Sequence, residues 1–110
     1  MTFAMVRCMG KIKNACAISP AVRNEVLDRD GCKCIVCGAN QNLQIAHFVP
    51  RSRLGLGIAK NLGTLCIHCH MQFDNGKKHN EIKPIFEEYL KSHYENWDEK
   101  DLVYKKWSWL

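Results

Sequence analysis

The apolar positions along the chain change period several times, and each change marks an element. In SPAVRNEVLDRD, Val22, Val26 and Leu27 recur at helical spacing, behind a Ser19-Pro20 start and ahead of an Asp30-Gly31 stop. LQIAHF (43–48) alternates instead, which predicts a short strand with Ile45 and His47 on one face and Gln44, Ala46 and Phe48 on the other. Pro50 stops it, and RSRLGLGIAKN reads as a long loop before a second strand, LGTLC (62–66). A short helix is expected from near Cys69 towards Asp74, ended by Asn75-Gly76. Ile82, Ile85, Phe86, Tyr89 and Leu90 then form an amphipathic stripe, with Pro84 tolerable only in the first turn. Asp98 to Asp101 resembles a helix cap before Leu102, Val103 and Tyr104, and Trp97, Trp107 and Trp109 are placed to pack this tail on the rest. The chain therefore divides into an arm (1–18), a core (19–78) and a helical C-terminal extension packed on that core (79–110).

Composition limits what such a unit can be. The 110 residues suit one domain, and 46% hydrophobic with 25% charged residues is ordinary globular usage. A domain this small often needs a staple. No apolar run approaches the ~20 residues of a membrane helix. MTFAMVRCMG is interrupted by Arg7 and is a poor export signal, so a cytoplasmic location is expected, in a host cell's cytoplasm if the chain is phage-encoded. There thiols stay reduced, and seven cysteines, an odd number, fit a closed disulfide framework badly.

Net charge is +5, unevenly spread. Residues 31–80 carry six bases against one acid, whereas 81–110 carry five bases against seven acids. A positive field on the front and middle of the chain attracts polyanions without reading their sequence, although a solvated surface explains it equally well.

Two Cys-x-x-Cys pairs, Cys34/Cys37 and Cys66/Cys69, have the spacing that turns two thiolates towards one ion. Together they predict a closed, structural zinc site. A redox pair is the rival reading, and it would need a βαβ context that the pattern lacks. Cys8, Cys16 and Cys32 are bystanders to this site, although surplus thiols leave a redox- or zinc-sensing role open. A second group lies between and after the knuckles: His47 at a strand end, Asn61, and His70 with Asp74 four residues on. Residues i and i+4 share a helix face, so His70 and Asp74 can grip one ion and leave positions open for water and phosphate. Taken singly, His47 is an ordinary surface or packing residue and Asp74 an ordinary turn residue; their joint spacing carries the signal. His68, His79 and His93 read as surface residues.

The stretch from residue 22 to 74, with AHFVPRS and then KNLGTLCIHCHMQFD, resembles the HNH nuclease motif in a variant with two cysteine knuckles. The resemblance implies an α+β fold, a ββα-metal finger with hairpin 43–66 and helix 69–75, flanked by helices. It implies that His47 is the general base and that Asn61 orients it and its loop or touches the metal. His70 and Asp74 become ligands of a catalytic divalent ion (Mg²⁺, Mn²⁺, Ni²⁺ or Zn²⁺), with His47 a third candidate ligand. The implied activity is a DNA endonuclease or nickase, with RNA left open. Arg51, Arg53 and Lys60 lie where they can hold backbone phosphates. A second copy of the chain, or a phage or restriction partner protein, is the expected route to cutting both strands; phage, restriction and mobile-element settings are equally compatible. The sequence departs from the family at Ala46, where many members have a further ligand. That departure favours the alternative of a non-catalytic zinc module binding nucleic acid or protein. Gln44, predicted on the same face as Ala46, is a candidate partner for a metal-bound water.

Overall fold

The computed structural model describes residues 15–105. The expectations for Cys8, Trp107, Trp109 and most of the basic arm fall outside this range.

Helix α1 (Pro20–Arg29) begins where the Ser19 hydroxyl accepts from the Val22 N–H at 3.2 Å, with Pro20 in the first position. It ends at Asp30, and Gly31 takes a positive φ of 69° that lets the chain double back. After the first cysteine knuckle, β1 (Leu43–His47) pairs antiparallel with β2 (Leu62–Cys66), Leu43 opposite Cys66 and His47 opposite Leu62. The intervening loop contains two 3₁₀ turns, Arg51–Arg53 and Ala59–Asn61. Helix α2 (Ile67–Asn75) follows β2 directly. It starts two residues before Cys69, the expected start, because the Cys66 sulfur itself caps the first turn by accepting from the Cys69 N–H at 3.4 Å.

The pleat sorts the hairpin's side chains to two helical partners. Ile45 and Leu62 join Val26 of α1. On the opposite face Ala46, Phe48 and Leu65 meet Phe73 of α2 and the stripe of α3 (His79–His93). Two strands alone make a marginal sheet in water; here both faces are covered. Gly63 is required at the centre of the α3 contact, since a Cβ there would come within 2.6 Å of the Phe86 ring. Ala46, opposite Gly63 in the register, is fully buried in this core, so the position that would carry a further metal ligand is a packing position here.

The C-terminal region departs from expectation in two places. Helix α3 begins at His79, so Pro84 lies beyond its first turn; Pro84 is on the exposed side, where water can satisfy the Asn80 carbonyl that its missing N–H would have bonded. Ile85 is also on the outside, 45% exposed, and the buried stripe is Ile82, Phe86 and Leu90. Beyond α3, the Asp98 carboxylate caps a 3₁₀ turn, Glu99–Leu102, whose Leu102 is buried. Trp97 packs edge-on to Phe48 (centroids 5.5 Å apart) and donates to the Lys60 carbonyl at 2.7 Å.

One buried ionic node ties these elements together. Arg29 grips Asp30 through two hydrogen bonds, 2.6 and 3.0 Å, and also donates to the carbonyls of Ala59 and Leu62 and to the Tyr94 hydroxyl. Asp30 additionally accepts from the Thr64 N–H and the Tyr89 hydroxyl. Burial alone would discourage the Asp30 charge, but its hydrogen bonds with Arg29 and Tyr89 hold the carboxyl below the usual carboxylate range. The same pairing keeps Arg29 charged against its own burial.

Candidate metal centres and catalytic cleft

The sulfurs of Cys34, Cys37, Cys66 and Cys69 all lie within 4.8 Å of one another, and those of Cys37 and Cys66 are 3.6 Å apart. Four sulfurs at about 2.3 Å from a tetrahedral zinc are separated by roughly 3.8 Å, so the cluster fits that ion. The first pair is shaped by its own backbone: Gly38 adopts φ 79°, and the N–H groups of Val36 and Cys37 point at the Cys34 sulfur at 3.4 and 3.5 Å. Burial opposes ionisation of Cys34, but these N–H groups bring its thiol down to about 7. Burial and the neighbouring sulfurs push Cys69 up. Four adjacent thiols therefore ionise together only with a cation among them, and metal binding would expel the remaining protons.

A cleft of about 510 Å³ opens beside the hairpin, lined by His47, Arg51, Ser52, His70, Asp74 and His79 among others. β1 delivers His47, the first loop turn delivers Arg51, and successive turns of α2 deliver His70 and Asp74. His70 Nε2 lies 3.0 Å from Asp74 Oδ2. Two ligand atoms at about 2.1 Å on adjacent corners of an octahedral cation are also roughly 3.0 Å apart, so the pair is spaced to share one ion. Gln44 holds the other side of the ring, its Oε1 accepting from His70 Nδ1–H at 2.6 Å. With the proton on Nδ1, the Nε2 lone pair faces a carboxylate, an arrangement that calls for a cation or a second proton between them. Among the described residues the four cysteines are the only group of three or more such ligands within mutual reach, so this second pair stands as two.

His47 is half-buried, and its Nε2–H donates to the Cys16 carbonyl at 2.9 Å. That leaves the lone pair on Nδ1. Burial lowers the basicity of this imidazole, the Cys16 carbonyl partly offsets that, and the Arg51 charge adds to the lowering, so the ring is neutral at pH 7.

Other expected site residues lie elsewhere. Asn61 is fully buried and does not line the cleft; its Oδ1 accepts from the Val49 N–H and its Nδ2 donates to the carbonyls of Val49 and Leu56. It staples the loop that follows His47 from a fully buried position. Arg53 lines a separate groove with Trp97 and Lys91, and Lys60 lies 6.0 Å over the Tyr94 ring. Of the three predicted phosphate contacts, Arg51 is the one in the cleft. His79, read from sequence as a surface residue, is on the cleft wall, its ring stacked on Phe73 and its Nδ1–H donating to the Phe73 carbonyl. No helical spacing links it to His70 or Asp74, because the turn at Gly76 intervenes.

No protein-family profile matches the chain and no curated protein matches its sequence. Its fold is similar to part of the Type IV phosphorothioation-dependent restriction endonuclease ScoMcrA, with a TM-score of 0.58 and 21% identity over 68% of this chain. The match spans 16% of that chain. No helix among the described residues is long and apolar enough to cross a membrane.

Proposed function

We propose that this chain is a metal-dependent endonuclease that hydrolyses phosphodiester bonds in DNA. The observation that carries the reading is the convergence of an imidazole held by a backbone carbonyl, a cation-spaced imidazole–carboxylate pair and the Arg51 guanidinium on one cleft. Resemblance to the HNH motif and the fold shared with part of a restriction endonuclease point the same way.

In this reading His47 takes the proton of the attacking water at Nδ1, which its Nε2–H bond to Cys16 leaves available. Arg51 holds a non-bridging phosphate oxygen and so sets the strand against the imidazole. His70 and Asp74 would hold a divalent cation, which supplies charge stabilisation to the phosphorus centre and the departing 3′ oxygen. Asn61 acts through the loop, not on substrate. Zinc held by Cys34, Cys37, Cys66 and Cys69 would be structural, since four thiolates would leave no ligand position open.

The second reading, a zinc module that binds without cutting, is favoured by the buried Ala46 and by a cation pair of only two protein ligands. A plasmid-nicking assay separates the two. Cutting supported by Mg²⁺, Mn²⁺ or Ni²⁺ and lost in a folded His47→Ala variant is the expected result. Unchanged cutting by His47→Ala would remove the base assignment, and DNA binding without cutting under every metal would favour the second reading.

A further inference from the structure

The imidazole in the cleft is held by a segment remote from it in sequence. Ala15 and Cys16 have helical backbone, and the Cys16 carbonyl receives His47 Nε2–H at 2.9 Å. The segment is in turn held by the loop, whose Gly57 N–H donates to the Ala15 carbonyl at 2.9 Å. At that crossing there is no room for a side chain. A Cβ on Gly57 would overlap the Ala17 carbonyl and stand 3.0 Å from the Cys16 oxygen itself. The loop is immobilised beside Gly57 by Asn61, whose amide donates to the Leu56 carbonyl at 2.8 Å.

We propose that Gly57 is a positioning residue for His47: its bare backbone admits the 15–17 segment, and the Cys16 carbonyl then fixes the proton on Nε2 and leaves Nδ1 as the base. The proposal rests on the reading of His47 as general base. Glycine serves here through close approach and not through an unusual backbone angle, which is why a single methyl group is a sharp probe. An imidazole whose proton moves to Nδ1, or whose ring swings from its carbonyl, loses the lone pair at the reacting position. A displacement of about 1 Å in such a group lowers turnover by roughly 10²-fold.

Two full-length, zinc-loaded variants test this. Gly57→Ala pushes the segment away. Ala17→Pro leaves the exposed Ala17 side unburdened but disfavours helical backbone at Cys16, which turns its carbonyl away from His47. Long-range ¹H–¹⁵N spectra of the imidazole report the tautomer, and single-turnover nicking reports the rate. In the wild type His47 is expected as the Nε2–H tautomer. In the variants the spectrum is expected to lose that pure signature while zinc stoichiometry holds, and kcat to fall about 10²-fold at little-changed KM. An Nδ1–H tautomer in the wild type overturns the proposal whether or not either variant folds. So does a folded Ala17→Pro or Gly57→Ala chain with the wild-type tautomer and rate. If the tautomer behaves as expected but no form of the protein cuts DNA, the clamp stands and the nuclease reading falls; if the wild type cuts and neither variant changes tautomer or rate, the reverse holds.

Discussion

Substitution of Asp30 by Asn removes one charge from a node whose two side chains are 12% (Arg29) and 0% (Asp30) exposed. Breaking a buried ion pair by deleting one partner costs about 3–5 kcal/mol, because the remaining charge is left uncompensated. Arg29 keeps its bonds to the Ala59 and Leu62 carbonyls and the Tyr94 hydroxyl, and Asn keeps one acceptor for Thr64 or Tyr89. The loss is therefore placed at the lower end, about 3 kcal/mol. That is a large share of the roughly 5–15 kcal/mol that holds a domain together. Equilibrium urea unfolding measures it, at one fixed free-zinc concentration for both proteins, since zinc stabilises the folded form by mass action. The pH dependence has a definite sign. The folded-state pKa of Asp30 lies below its ordinary value of 3.8, so the stability from its charge is fully present above pH 3.8 and is lost as pH falls through the lower, folded value. The gap between wild type and Asp30→Asn should stay flat above pH 3.8 and narrow only below it; acid release of zinc is common to both and cancels. A gap under about 1 kcal/mol, the worth of a surface pair, or one that already narrows near pH 6, would refute the account of this node.

Four further outcomes are expected. The acid limb of kcat/KM for nicking should lie below the ordinary histidine value of 6.5, because burial lowers His47, and a limb above 6.5 would contradict that environment. Thr64→Val should stabilise the fold by about 1 kcal/mol in the same unfolding assay, since Thr64 Oγ1 is buried with no hydrogen-bond partner among the described residues. Cys34→Ser should release zinc and unfold the domain by circular dichroism; a folded apo-form would show that the cluster is not a staple. His70→Ala should leave zinc content and stability near wild type while the metal concentration needed for half-maximal cutting rises at least tenfold.

What was legible in the sequence was whatever local spacing encodes. The cysteine knuckles, the Ser19-Pro20 start and the His70–Asp74 pair are contacts between residues at most four apart, and the first strand follows from alternation and a proline stop. Residues whose roles depend on distant partners were not legible. Asp30 looked like a helix stop, yet its function is fixed by Thr64 and Tyr89, tens of residues away. Arg51 and Arg53 looked equivalent in a loop, but three residues per 3₁₀ turn set positions two apart on different sides, one into the cleft and one out of it. The cleft wall at His79 and the carbonyl behind His47 belong to segments that hydrophobic periodicity assigns to a tail and an arm.

Cys66 ends β2, caps α2 and belongs to the thiolate cluster, all through one residue. Damage there would reach the cleft from behind. An oxidant or strong chelator that stripped an ion from this sulfur would loosen the first turn of the helix bearing His70 and Asp74, so that on the endonuclease reading cutting would stop with every cleft residue chemically intact. Inhibition by a strong chelator thus reports on the scaffold as readily as on the chemistry. A weak chelator that spares thiolate-bound zinc, followed by re-addition of magnesium, is the treatment that tells them apart.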